Sequence, residues 1–413
     1  MKVPRRPSRL VSRRSLLRSA GCCAGALCLG HSVSALASSI ALAPQKPYSA
    51  RTVALVESTH VIDMLCNLNQ ARVVKGGPND IESVFERMSR WNRDPKAISD
   101  EQLQRYRESG INTFHSSPEI RPYYPKLSAY DRGMTFMQGW QRILTERPEL
   151  FTLVVDGATL ERVPASGRLG VIIGIQNGDH FRTADDVETF YGLGLRVSQL
   201  TYNEENHLGG GAFSEGGLKP VGIEIIHAMN RAGMVVDLAH ANNRTAYEAA
   251  QESQVTPIIS HTNCQALTPG FQRNVNDEVI RSVAKRGGVI GLTVLRQFVS
   301  LKEPTTIKDY IAHIDHIANL VGIEHVGLGS DNDLVPFDGI DDETKRKYFA
   351  QPAQKGYQWR ERVGIDGLDH HRRVYDIVEA LLKRNYSETH IRLFLGGNFQ
   401  RVLTQIWATR AAG

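Results

Sequence analysis

Residues Gly233 to Asn263 read GMVVDLAHANNRTAYEAAQESQVTPIISHTN, and this stretch decides the fold. Two apolar runs, MVVDLAH and TPIISH, each end in a histidine, His240 and His261. A polar, Ala-rich stretch of helix length separates them, so the segment reads as strand, helix, strand. In a parallel βαβ unit both strands run the same way, and both histidines reach the same edge of the sheet. Barrels of alternating strands and helices keep their active sites at that edge. Two imidazoles from neighbouring strand ends supply half of a tetrahedral zinc site. They can equally cap the strands by bonding to backbone, and these residues alone leave both readings open.

Outward from this unit the alternation continues. ALVESTHVIDML reads as a helix leading into a strand at Val61 and Ile62. Helices are expected over Asp80 to Arg90, Asp100 to Ser109 and Leu127 to Glu146, with a strand at INTFHSS. RLGVIIGIQNGDH is a continuous apolar strand running into Gln176, and LRVSQLTYNEEN is another, after a helix over Asp185 to Gly192. GIEIIHAMNRAGM is an amphipathic helix feeding the central unit. Beyond it come helices at Asn276 to Arg286 and Thr306 to Val321, strands GVIGLTV and HVGLGSDND, and closing helices at Leu368 to Arg384 and Glu388 to Trp407. This pattern is an α/β fold, and the strand count suits a (β/α)8 TIM barrel. A doubly wound sheet competes, but no Gly-x-Gly-x-x-Gly lies between a strand and a helix.

The N-terminus reads as a targeting segment. Lys2, Arg5, Arg6, Arg9, Arg13, Arg14 and Arg18 form a basic head, SRRSLLR fits a twin-arginine signal, and Ala35-Leu36-Ala37 offers a cleavage site. The expected organisation is a signal over 1–37, a leader over 38–50 and one barrel domain over 51–413, in a periplasmic or secreted protein. The apolar run from Ser19 to Leu29 is too short to span a bilayer. Removing the signal takes the formal net charge from +5 to −2, which withdraws support for nucleic-acid binding. Of five cysteines only Cys66 and Cys264 remain, read as two separate buried thiols rather than a disulfide framework.

Strand ends carry the chemistry. Beside His240 and His261 stand Asp331 and Asp333 in GLGSDND, where a carboxylate can bind a metal or an ammonium or act as base. Arg273 can grip a carboxylate in bidentate fashion. Gly209 to Gly211 with Gly216 and Gly217 read as a flexible active-site loop rather than a phosphate cradle, since no Lys-Ser/Thr follows. Glu204, Glu205 and His207 read as a solvated loop before a second metal cluster.

Taken together, GVIIGIQNG, GLRVSQLTYNEEN, GGLKPVGIEIIHAMNRAGMVVDLAH, IISHTN, QRNVNDEVI, GGVIGL, HVGLGSDND and LGGNFQRVL resemble the membrane (renal) dipeptidase family, peptidase family M19. The resemblance runs from about Val61 to Val402. It implies a zinc-dependent hydrolase of dipeptides in which a glutamate bridges two zinc ions. Positions matching His240 and His261 hold one zinc, Asp331 handles the proton and the substrate amino group, and Arg273 grips the substrate carboxylate. Homodimers are common in the family, an expectation carried to this chain.

The sequence departs from the family at its ligands. The Asp-Gly-His-Asn-Asp of the first strand is here Asp63-Met64-Leu65-Cys66-Asn67, so Leu65 and Asn67 replace two zinc ligands. Gln176 replaces the bridging glutamate, and Tyr202 replaces a substrate-facing histidine. Leucine cannot ligate a metal and a neutral amide cannot hold two dications together. Neither His60 nor Cys66 is placed to substitute. A two-zinc centre is therefore improbable. The expectation is a hydrolase of small peptide-like amides with one zinc at His240 and His261, completed by Asp331, and with Tyr202 at the reacting side. The alternative is a catalytically silent, metal-free relative that binds peptide-like molecules or assists maturation of an exported peptide metabolite.

Overall fold

In the computed structural model, the described residues are 47–67, 98, 100–118, 127–334, 343, 346, 349–350 and 356–411. The targeting segment and the helix expected over 80–90 lie outside them. The barrel lies within the unit Tyr48–Gly413.

Nine strands are seen among the described residues: β1 Ile62–Asp63, β2 Thr113–Ser116, β3 Phe151–Leu153, β4 Leu169–Ile175, β5 Leu195–Gln199, β6 Val235–Asp237, β7 Ile259–Thr262, β8 Ile290–Leu292 and β9 Val326–Leu328. They pair in parallel as β1-β2-β4-β5-β6 and as β7-β8-β9. Two sets of backbone bonds join these runs. Leu238 N donates to Ile258 O at 2.8 Å and Ile258 N to Val236 O at 3.0 Å. Met64 N donates to Leu328 O and Asp331 N to Leu65 O, both at 2.9 Å. Eight strands thus close into a ring, the (β/α)8 barrel expected from the alternation. The extra strand, β3, pairs with Leu169–Val171 of β4 while β5 pairs with Ile173–Ile175, and a register shift at Ile173/Gly174 falls inside the β4–β5 ladder.

Local chemistry fixes the helices. Ser128, Asp156, Asn242, Asn276 and Ser387 each cap a helix by accepting from a backbone N–H in its first turn. The helix Pro220–Ala232 opens on proline and stops at Gly233, whose φ of 71° suits glycine. Alternation along the strands sorts the core into two layers. Val171, Ile173, Leu195, Val236 and Ile290 join the cluster that includes the surrounding helices. Ile172, Val197, Val235, Ile258 and Val289 instead cluster with Phe399, Leu403 and Trp407 of the C-terminal helix Asn398–Ala411. That helix seals the end of the barrel where strands begin, and each buried large side chain contributes about 1.5–3 kcal/mol.

Three features were not legible in advance. Strand β3 has only three residues, and the helix Gly157–Ser166 after it carries Pro164 in its interior. The helix expected from Leu368 begins at Arg373. The last expected helix is divided, because a π-helical turn at Leu393–Gly397 separates Glu388–Arg392 from Asn398–Ala411. At that turn a Cβ on Gly396 would come within 2.0 Å of His60 O, so the backbones meet there.

One tier above the apolar plug the inward positions turn polar, with buried His115, Gln199, Asp237 and Ser260. The His115 ring lies over Gly174, where a Cβ would stand 1.9 Å from its Nε2. Its Nδ1 is tied to Met64 O at 2.7 Å, so the ring cannot swing away. Gly174→Ala is therefore expected to lose about 1–3 kcal/mol in denaturant unfolding. The same change in a His115→Ala background should cost much less; equal losses in both backgrounds would refute the contact.

Candidate active site

The seam between β9 and β1 builds one wall. Asp63 Oδ1 accepts from Ser330 N at 2.8 Å and from Leu65 N at 3.2 Å, folding both strand ends around one carboxylate. Burial raises the Asp63 carboxyl, against hydrogen bonds from Ser330 and the charge of Arg373. Leu65 is buried beside it, and Asn67 N donates to Asp333 Oδ1 at 2.9 Å. The amides of Asn67 and Gln176 have a definite task. Ser117 N donates to Asn67 Oδ1 at 2.8 Å, and Gln176 Nε2 donates to Ser117 O at 2.5 Å. Together they clamp the peptide groups just past β2.

The opposite wall carries the two histidines. Ser260 gives its hydroxyl proton to Asp237 Oδ2 at 2.5 Å, so His261 Nδ1 must donate to Ser260 Oγ at 2.8 Å. His240 Nδ1 donates to Asn203 Oδ1 at 3.1 Å, an oxygen that also accepts from the Tyr357 hydroxyl at 2.9 Å. Both rings are thereby held in the tautomer whose Nε2 is a lone pair. The ring centroids are 5.0 Å apart, and Tyr202 stacks on His240 at 3.9 Å. His261 Nε2 is buried without a protein partner, and burial, with the charges of Arg273 and His115, keeps that ring neutral.

Arg273 and Asp331 come to the same mouth. Arg273 is buried, donates from Nη2 to His261 O at 3.3 Å, and leaves its Nε without a protein acceptor. The Asp331 carboxyl is pushed up to about 7, by desolvation above all, with Arg273 pulling it down and Asp333 and Asp63 pushing it up. Arg373 donates to the carbonyls of Asn332 and Asp333, curling the loop behind it. Strain marks the place as well. Asn177, His240 and Asp331 have φ of 74°, 64° and 52° and stand just beyond β4, β6 and β9. Left-handed non-glycine residues tend to gather at functional sites.

A bridged pair of zinc ions does not fit this donor set. Leu65 offers no donor, Asn67 Oδ1 is engaged with Ser117 N, and Gln176, tied to Ser117 O through Nε2, turns only a neutral amide oxygen to the site in place of a bridging carboxylate. Among the described residues no three His, Cys, Asp or Glu side chains gather closely enough to hold a metal ion. The two imidazoles by themselves supply half of a ligand set for one ion. His60 bonds to Thr113 Oγ1 at 2.8 Å, and Cys66 lies against the Tyr106 hydroxyl, so neither is a substitute ligand. Cys66 and Cys264 are free, buried thiols.

The glycine loop is packed rather than loose, which corrects its reading as flexible. A Cβ on Gly210 would come within 2.0 Å of Gly216 O, and one on Gly211 within 2.4 Å of Tyr202 O. Glu205 pairs with Lys219, while His207 bonds to Asp179 Oδ1 at 3.1 Å and Phe181 O at 2.8 Å. Asp237 and Ser260 stand in the strand-end motifs DLAH and SH that the sequence singles out, whereas Asn203 and Tyr357 are the participants that sequence reasoning missed. Only the polar run after β5 hinted at Asn203.

The membrane dipeptidase family, peptidase family M19, matches residues 49–359 and 356–412, and the chain belongs to it. An uncharacterised dipeptidase of Schizosaccharomyces pombe is 35% identical over 191 residues, 44% of this chain and 46% of that protein. The dipeptidase verJ of Clonostachys rogersoniana is 30% identical over 246 residues, 58% of this chain and 56% of that protein. The chain spans about half the length of the curated relatives it matches. A solved amidohydrolase from Pseudomonas aeruginosa shares the fold, with a TM-score of 0.70 at 24% identity over 86% of this chain and 99% of that chain.

The Asp179 hydrogen bond raises His207 above its ordinary value, against partial burial and the charge of Lys219. Stability from this pair is fully present below about pH 6.5 and lost as pH rises through the raised value. Melting curves of the protein and His207→Gln should therefore differ most at acid pH and converge at alkaline pH. A constant gap across that range would show that the ion pair contributes nothing.

Proposed function

We propose that this chain is an exported hydrolase of dipeptides or small peptide-like amides, working with at most one metal ion. What carries the reading is the meeting, at one barrel mouth, of Arg273, Asp331 and two imidazoles whose Nε2 atoms are kept as lone pairs. Arg273 takes the ligand's carboxylate through its unpartnered Nε. Asp331 holds the ammonium and, titrating near neutrality, can also carry a proton. Tyr202 lies flat on His240 and lines the reacting side. His240 and His261 would hold a single zinc, which when bound supplies carbonyl polarisation and activation of water. Export rests on the seven basic residues and the arginine pair at the N-terminus.

A second reading is favoured by one observation. The amides at two former ligand positions serve as a backbone clamp, so a metal-free binding or accessory protein in maturation of an exported peptide metabolite also uses every contact seen. Elemental analysis after zinc loading and desalting separates the readings. The hydrolase should retain up to one zinc per chain, lose it in His240→Ala, and cleave dipeptides only when loaded. Two ions per chain would overturn the assignment of Leu65, Asn67 and Gln176. Saturable dipeptide binding with neither zinc nor turnover would establish the binding protein.

The Asp331 carboxyl is neutral below about 7 and an anion above it. Dipeptide affinity should therefore rise as pH passes upward through that value, and Asp331→Asn should flatten the rise. An unchanged profile in the variant would remove Asp331 from the ammonium grip.

A further inference from the structure

An aromatic wall runs beside the mouth from the Arg273 side to the His240 side. The Arg273 guanidinium lies 5.2 Å from the Phe298 ring centroid. Phe298 is followed by Tyr357 at 6.0 Å, and Tyr357 by Trp359 at 5.1 Å and Phe213 at 5.2 Å. At its far end the wall is fastened to the site itself. The Tyr357 hydroxyl donates to the Asn203 oxygen that holds His240, and Phe213 N donates to Asn203 O at 2.8 Å. The wall is also preformed: Phe213 packs on Gly356, where a Cβ would meet its ring at 2.5 Å. Trp359 also stacks on Phe349 at 5.0 Å, and Phe213 and Trp359 remain partly exposed, so the cluster still offers aromatic edges at these two residues.

We propose that Phe213 and Trp359, backed by the buried Phe298 and Tyr357, receive an aromatic side chain on the residue whose carboxylate Arg273 holds, so that the preferred ligands are dipeptides ending in an aromatic residue. This rests on the reading of Arg273 as the carboxylate grip. A carboxylate on that guanidinium places its own α-carbon one bond away, beside Phe298. A side chain there meets stacked and edge-on rings, the arrangements in which aromatic groups gain most from contact. Glycine at that position leaves the partly exposed Phe213 and Trp359 uncovered, and a charged side chain would be desolvated against them without a partner.

Titration calorimetry of the zinc-loaded full chain with Ala-Phe, Ala-Gly and Ala-Asp tests this, and kcat/KM replaces affinity for any peptide that turns over. The expected result is a preference for Ala-Phe of at least ~10-fold over the other two. In Trp359→Ala and Phe213→Leu that ratio should fall towards one. Two variants are used because Phe213 also packs on Gly356, whereas Trp359 lies further out in the wall. Equal binding of all three peptides, abolished by Arg273→Ala, would overturn the aromatic pocket and leave the carboxylate grip standing. If none binds, or if Arg273→Ala changes nothing, the grip fails and the pocket fails with it.

Discussion

A ring of parallel strands depends on the seam where its last strand meets its first, and in this chain one buried carboxylate organises that seam. Asp63 accepts from the backbone on both sides, from Leu65 next to it and from Ser330 across the closure. The ladder bonds from Met64 to Leu328 and from Asp331 to Leu65 continue the same junction. Residues 63 to 67 and 330 to 333 are therefore one structural unit despite their separation in sequence. The direction of Asp331, the position of Leu65 and the anchoring of Asn67 to Asp333 all follow from this join. An unpaired buried anion is costly, and here two N–H groups and the nearby charge of Arg373 offset only part of that cost, so the carboxyl stays raised.

The mouth above this seam separates two kinds of constraint. Arg273 and Asp331, the groups proposed to grip the two ends of a peptide, are present and oriented, whereas the amides of Asn67 and Gln176 bond to Ser117. Each histidine is held from behind by a neutral oxygen, Ser260 Oγ or Asn203 Oδ1. Such backing fixes ring orientation whether or not an ion is bound. The fold supports both working and emptied sites, so the chemistry rests on these particular side chains.

Much of the architecture could be read from periodicity because most strands are continuous apolar runs and most helices carry explicit caps. The helices at Asp100–Ser109 and Ile307–Val321 fall within a residue of their expected bounds for that reason. β3 escaped because three residues set no period, and the helix after it because Pro164 argues locally against a helix that its neighbours stabilise. The two histidines, Arg273 and Asp331 could be named as candidates because each lies in a motif near a strand end. Tyr357 could not, since its bond to Asn203 spans 154 residues and leaves no trace in local pattern. The glycines at 209–217 misled for a related reason: glycine permits both mobility and close backbone contact, and only the facing carbonyls decide between them.

The clamp on Ser117 also bears on descent, because it works as a ratchet. Restoring a carboxylate at position 67 keeps an acceptor facing Ser117 N. Restoring one at position 176 alone sets a carboxylate oxygen against the Ser117 carbonyl, where an amide nitrogen now donates at 2.5 Å. That change is disfavoured until cations arrive to reward it, and they cannot be held in a bridge while Leu65 stays. A carboxylate at position 176 is therefore accommodated only in company with a change at position 65, so the two positions are expected to change together rather than one at a time.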